Sequence, residues 1–355
     1  MITEILGNQQ GGVMLQLDSF DENLSKKRTT IYELPHSIQH FSIQKVLPYQ
    51  NDGFILIGKN HSSWNKSKSV RQKEYEYFVY YLFDRKTNLV KRISPNNKHM
   101  NGLALEINGD HLIITAFIDN HNITRPNSIY VFKYDLSQNR IVFDSICDLP
   151  PSFYDYPEIK DKKIAAIKIG FQNKKWLADG NYKIKEIFSN QQDETIIVSE
   201  QEFYTQNLAS SPVAALITPN NNFYSKDIVV FKISKDGQLL WHSKVIKNQE
   251  WGSNDILSYY PVFKNNTLFL FYNGNYINPE SSGRNFLNEH DSALLCTIIG
   301  ENGGIQQRIL EYYTEEYPNV ILPSLSHYNK ELGAILYHRA PGNLKRQKFT
   351  QVELR

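Results

Sequence analysis

Only two cysteines occur in 355 residues, and basic side chains outnumber acidic ones by just two. No apolar run approaches the roughly 20 residues a membrane-crossing helix needs. Each shortage excludes something. Cys147 and Cys296 are far apart and make no disulfide framework. Both fall in strand-like stretches, so they read as buried free thiols and leave the redox compartment open. A formal charge of +2 creates no global demand for nucleic acid or an anionic membrane. The opening Met1-Ile-Thr-Glu-Ile-Leu-Gly has no basic start, long apolar core or cleavage site, so no export signal is visible in it. A cytosolic protein, or one whose signal has been removed, fits that start.

Catalytic signatures are missing as well. There is no G-x-S-x-G elbow, no G-x-G-x-x-G or Walker loop, and no H-E-x-x-H or paired-cysteine motif. Ten histidines invite a metal reading, with Asp119, His121 and His111 near one turn and His290 between Glu289 and Asp291 on another. Three converging ligands are required for a catalytic zinc, and these spacings do not supply them. The sequence therefore predicts no metal and no cofactor. Paired carboxylates for glycoside chemistry leave no local motif. Glu200, Glu202 and Glu280 are candidates by position alone, and a polar Glu200 at a strand end also suits simple solubility.

What the chain has instead is tyrosine (22), phenylalanine (19) and repetition. Residues 227–234, the turn Lys235-Asp236-Gly237-Gln238, and residues 239–246 form the clearest hairpin pattern. Similar pairs are 76–83 with 89–93, 128–134 with 140–146, 293–299 with 305–311, and 13–17 with 29–34. Pairs of a second type each precede one of these hairpins, except the last, which only 347–354 follows: 41–47 with 54–58, 103–107 with 111–117, 183–188 with 195–200, 260–263 with 268–271, and 321–327 with 333–337. Together they spell four complete four-stranded units and two partial ones at the termini. The first partial unit lacks a clear first strand, and the last, ending in 347–354, lacks its fourth. No sustained helical stripe competes with this pattern.

Such repetition predicts an all-β fold: a β-propeller of four-stranded antiparallel blades, five to seven in number and six by the best fit. Residues 1–355 are expected to form one propeller domain, closed by N- and C-terminal strands in one blade. The segment 152–179 is the weak point, since 165–171 is a strand without an evident partner.

Tight turns alternate with long connections at 59–74, 118–127, 201–226 and 273–291. In up-and-down blades these long loops emerge on one face, where binding residues concentrate. The first holds His61, Trp64, Lys66, Lys68 and Arg71, a basic and aromatic set suited to an anionic or sugar-bearing partner. Tyr204, Tyr224, Tyr276 and Arg284 complete the candidate binding set, with Phe203, Phe223, Tyr272 and Phe286 beside them. Trp241, inside a strand after an Asp-Gly turn, is expected to pack between blades rather than to meet a ligand.

Two stretches carry a resemblance. Residues 226–249, with Asp-Ile-Val-Val-Phe-Lys-Ile, Lys-Asp-Gly and Leu-Trp, are similar to a segment of uncharacterised Bacteroidetes β-propeller proteins. Glu186-Ile-Phe with Glu194-Thr-Ile-Ile-Val-Ser-Glu200, and Ser258-Tyr-Tyr-Pro with Leu-Phe-Leu-Phe-Tyr-Asn273, extend it over about 183–273. The resemblance implies export to the periplasm or cell envelope, a location this chain's own start does not signal. It carries no established chemistry and no site residues. The expectation at this level is a non-catalytic scaffold that binds a protein partner on the long-loop face, with no nucleic acid and no transmembrane segment. A carbohydrate-binding or carbohydrate-active propeller, hydrolase or lyase, is the alternative. Two or three carboxylates with aromatic platforms around one pocket would decide for the alternative.

Overall fold

A computed structural model describes residues 2–7, 11–49, 53–61, 75–93, 98–120, 126–153, 182–206, 221–251, 255–275, 292–313, 320–340 and 343–354. The expected lone strand at 165–171 lies outside them. The chain divides into two compact units, one of residues 1–100 with 119–123, the other of 101–118 with 124–355.

In the first unit, β1 (Ile2–Gly7), β2 (Gly12–Phe20) and β3 (Lys26–Ser37) form a three-stranded antiparallel sheet. β4 (Phe41–Tyr49), β5 (Gly53–His61), β6 (Tyr75–Phe83) and β7 (Lys86–Ile93) form a four-stranded meander. β1 corrects the expectation that no strand precedes the first hairpin: its short Ile-rich run pairs with β2 from Ile2↔Asp18 to Gly7↔Val13. Val13, Leu15 and Leu17 alternate inward on β2 and pack with Tyr32, Leu34, Leu56, Tyr80 and Leu82 between the two sheets. The His36 ring lies flat on Phe41, 4.1 Å between centroids, with its Nε2 2.7 Å from the Tyr80 hydroxyl. Gly58 is required under Phe41, because a Cβ there would sit 1.8 Å from the ring.

Among the described residues the second unit holds four antiparallel sheets in chain order. The first is β8 (Lys98–Asn108), β9 (His111–Asn120), β10 (Pro126–Asp135) and β11 (Arg140–Asp148). Next come β12 (Tyr182–Ser189), β13 (Thr195–Gln206), β14 (Asn221–Ile233) and β15 (Leu239–Val245), with β16 (Gln249–Trp251) on the far end of β14. The third is β17 (Tyr260–Lys264), β18 (Thr267–Asn275), β19 (Ser292–Ile299) and β20 (Ile305–Tyr312). In the last, β21 (Val320–Ile321) and β22 (His327–Asn329) both pair with β23 (Gly333–Ala340), which pairs with β24 (Asn343–Val352). The single strand expected at 321–327 is thus split by a 3₁₀ turn, Pro323–Leu325, where proline cannot donate to a ladder.

These are propeller blades: all-β, four-stranded, antiparallel, stacked face to face through apolar layers. Phe117, Ile129, Ile197, Val229 and Phe231 join the first sheet of this unit to the second. Val198, Val230, Leu270, Tyr272 and Leu295 join the second to the third. Phe271, Leu294, Ile321 and Leu336 join the third to the fourth.

A repeated device locks neighbouring sheets in register. Phe143, Ser145 and Cys147 on β11 lie under the turn glycine Gly237, and the Cys147 thiol donates to the Gly237 carbonyl at 3.3 Å. One sheet on, Trp241 and Ser243 on β15 occupy the same places under Gly303. Ser243 Oγ donates to the Gly303 carbonyl at 2.6 Å, and Trp241 Nε1 to the Glu301 carbonyl at 2.9 Å. Trp241 is therefore an inter-blade residue, as its position suggests. Gly303 has φ +82° and no room for a Cβ against the Trp241 ring, so the turn needs glycine twice over. Both cysteines are free thiols, Cys296 buried and Cys147 half-buried.

Candidate active site

The charged residues that matter most sit on β12 and β13, the first two strands of one sheet. Two irregularities put them there. In β12 the pairing with β13 jumps from Ile184↔Ser199 to Glu186↔Val198, so Lys185 is an extra residue. In β13 the pairing with β14 jumps from Glu200↔Ile228 to Glu202↔Ser225, with Gln201 inside the bulge. Bulges re-aim side chains and are common beside active sites. Here they bring Lys185 against both Glu202 and Glu200. Lys185 Nζ pairs closely with Glu202 Oε1 and stands 3.9 Å from Glu200 Oε2, while Lys183 Nζ holds Glu202 Oε2 at 3.1 Å.

In front of this cluster is a cavity of about 600 Å³. β12 contributes Lys185, Glu186 and Phe188; β13 contributes Glu202. Ser258, Tyr259 and Tyr260, leading into β17, form a second wall, and Ser326 with Tyr328 on and beside β22 forms a third. The first strands of three successive sheets thus surround one space. Its size suits a small ligand or a few linked sugar rings.

Behind the wall runs a buried polar network. Glu200, fully enclosed, accepts Ser258 Oγ on Oε2 at 2.5 Å and Ser225 Oγ on Oε1 at 2.5 Å. Lys247 Nζ, also enclosed, donates to Glu200 Oε1, to Ser225 Oγ and to Gln249 Oε1, the last at 2.8 Å. Gln249 Nε2 donates to the Asn273 carbonyl at 2.6 Å. The Asn273 amide then bonds the Ile256 and Ile321 carbonyls at 2.8 and 3.0 Å, and its Oδ1 accepts Tyr313 Oη at 2.5 Å. One continuous network therefore ties the second, third and fourth sheets of this unit together.

Electrostatics divide the labour. Burial pushes the Glu202 carboxyl up, but hydrogen bonds and charge from Lys185 and Lys183 outweigh it and leave Glu202 below the usual range. Glu202 is an anion at neutral pH. Burial, followed by the charge of Glu186, lifts the Tyr260 phenol to about 12, so it stays protonated. Burial lowers Lys247 against the opposing pull of Glu200. Tyr259 is raised well above the ordinary tyrosine value, by burial first and then by Glu200, Glu186 and Glu202. Its hydroxyl has no hydrogen-bond partner among the described residues.

Of the residues expected to bind a partner, His61, Tyr204 and Tyr224 fall on described strands. His61 ends β5, paired with Tyr75. Tyr204 lies on β13 opposite Phe223, because β13 and β14 continue to Gln206 and from Asn221 through part of the expected 201–226 loop. Tyr224 donates its hydroxyl to Glu250 at 3.0 Å across the β14–β16 pair. Trp64, Lys66, Lys68, Arg71, Tyr276 and Arg284 lie outside the described residues, as do Glu280, His121, His290 and Phe286. Tyr272 is a core residue: its hydroxyl is shared with Thr297 at 3.0 Å and Gln307 at 2.7 Å. Glu200 is no surface residue at a strand end, since the strand continues past it and Lys247 compensates its charge. Among the described residues no three metal-ligand side chains converge, and no helix is long and apolar enough to cross a membrane.

Lys185, Glu186, Tyr259, Tyr260 and Lys247 were missed by sequence reasoning. Adjacent charges in Lys185-Glu186 break the in–out alternation of a strand, and that is the one local sign of the bulge.

No family model matches the chain, and no curated protein matches it. Among solved structures the chain is similar to the polysaccharide lyase Uly1, with 11% identity, 99% of this chain and 78% of that one covered, and a TM-score of 0.39. It is also similar to an exo-β-1,3-galactanase from Clostridium thermocellum, with 9% identity, 97% and 74% covered, and a TM-score of 0.30. The expectation of a non-catalytic scaffold working through its long loops is corrected at this point. Two carboxylates, a lysine and three tyrosines share one cavity, which is the arrangement named above as deciding for the carbohydrate-active alternative.

Proposed function

We propose that this chain is carbohydrate-active, binding a saccharide in the first-strand cavity and hydrolysing a glycosidic bond there. The observation that carries the reading is that Glu186 and Glu202 line one cavity together with Tyr260 and Tyr328. Glycoside hydrolysis needs one carboxyl group that donates a proton and one that stays ionised as base or nucleophile. Lys185 and Lys183 keep Glu202 ionised, which assigns it the second role and leaves the acid role to Glu186. Tyrosine rings offer apolar faces to sugar rings and hydroxyls to their edges. A location in the cell envelope would suit this activity, and fractionation of the native cells tests it.

The test is incubation of the purified chain with a panel of neutral and uronate-containing polysaccharides, scoring new reducing ends and ultraviolet absorbance of unsaturated products. Reducing ends without absorbance are expected, with Glu202→Gln and Glu186→Gln each lowering the rate at least about a hundredfold. Unsaturated products would replace hydrolysis by elimination. A panel on which nothing is bound or cleaved would overturn the carbohydrate reading.

A further inference from the structure

Ser258 has a backbone no serine adopts without reason. Its φ is +74°, the left-handed region that costs a non-glycine residue roughly 1–2 kcal/mol. The conformation is clamped at both ends of the residue. The backbone N–H donates to Gln249 Oε1 at 2.8 Å, and the side-chain Oγ donates to Glu200 Oε2 at 2.5 Å. Gln249 is in turn held by Lys247 and by the Asn273 carbonyl. Glycine would take the same turn without strain, so the hydroxyl is what the strain retains.

Glu200 and Lys247 are both sealed from solvent. A buried pair of this kind adds little stability over an apolar replacement, because desolvation consumes most of the attraction. Neither group lines the cavity, but Ser258 does, and it is only half-buried. A serine hydroxyl has one proton and two lone pairs. With the proton committed to a carboxylate, Ser258 Oγ offers the cavity only acceptor capacity, strengthened by the charge-assisted bond behind it. The complementary ligand group is a hydroxyl that donates, which is the group a sugar carries in greatest number.

We infer that Ser258 is a sugar-contacting residue, whose Oγ accepts a hydrogen bond from one hydroxyl of the bound saccharide, and that the Lys247–Glu200 pair positions it. This rests on the saccharide reading of the cavity. A purely structural Ser258 would serve only to satisfy Glu200, and the two roles separate by experiment. Binding of a neutral and a uronate-containing tetrasaccharide is measured by calorimetry in the Glu186→Gln background, which prevents turnover, with and without Ser258→Gly. The expected result is a thermal midpoint little changed, since relief of strain offsets the lost hydrogen bond, and affinity for the bound tetrasaccharide about tenfold weaker. Ser258→Ala keeps the strain, so it should lose the same affinity and unfold at a lower temperature. One mono-deoxy analogue of that tetrasaccharide should bind the serine and glycine forms alike.

A glycine variant that binds as tightly as its parent while unfolding earlier would overturn the inference and leave the saccharide reading standing. A parent that binds neither tetrasaccharide, while the polysaccharide panel also stays intact, would overturn both.

Discussion

Tyr259 and Glu202 face the same cavity yet shape stability in opposite ways. The Tyr259 hydroxyl is enclosed with no partner among the described residues, and an unsatisfied buried polar atom costs about 1–3 kcal/mol. Tyr259→Phe keeps the ring and removes that atom, so urea denaturation should show the variant more stable by about 1 kcal/mol. Glu202 contributes in the other direction. Its carboxyl lies below the ordinary glutamate value in the folded chain, so the unfolded chain binds the proton more readily. The stabilisation is complete above that value and is lost as pH falls through the lower folded one. Urea midpoints between neutral pH and about pH 3 should fall steeply for the parent, with a shallower decline for Glu202→Gln. Parallel curves would place the acid sensitivity elsewhere.

At the scale of the element, the site exists because β12 and β13 are both irregular. Without the bulge at Lys185, regular alternation would turn Glu186 to the other face of β12. β16 adds a second requirement: a three-residue strand that pairs with β14 from Phe223↔Trp251 to Ser225↔Gln249 and carries Gln249 into the network. Lys247, just before it, fills the space behind Glu200 with three hydrogen bonds. Lys247→Met should therefore remove the nearest cation from buried Glu200, at a cost of about 3–5 kcal/mol. Equilibrium denaturation checks the cost, and a loss under 1 kcal/mol would mean that water or Lys185 takes over. Most strands of both units were legible in the sequence, because alternation and turn glycines are local. The bulges were not, since a bulge depends on which residues the partner strand presents.

Across the second unit, stability is spread over successive sheet interfaces rather than one central core. Ile129 belongs to the layer between its first and second sheets, Ile299 to the layer between its second and third. Each Ile→Val change should cost about 1 kcal/mol. The double variant should equal the sum within about 0.5 kcal/mol, because the two share no contacts. A larger departure in denaturant midpoints would show that the middle sheet transmits strain between its faces. The recurrence of Phe143 and Ser145 as Trp241 and Ser243 has the same origin, as each outer strand meets the next turn in the same way.

The sequence by itself determined the all-β class, the antiparallel hairpins, the four-stranded units and the inter-blade place of Trp241, all encoded over a few residues in alternation and turn chemistry. It pointed to the long loops for function, because loops advertise their polarity in sequence while a charge on a strand looks like any solvated edge. Only the tertiary structure decided that Glu200 is enclosed, that Lys247, 47 positions away, neutralises it, and that Glu186, Glu202 and Tyr260 meet at one cavity. Those contacts join distant strands of one sheet or neighbouring sheets, and how strands and sheets meet follows from packing that no local pattern records.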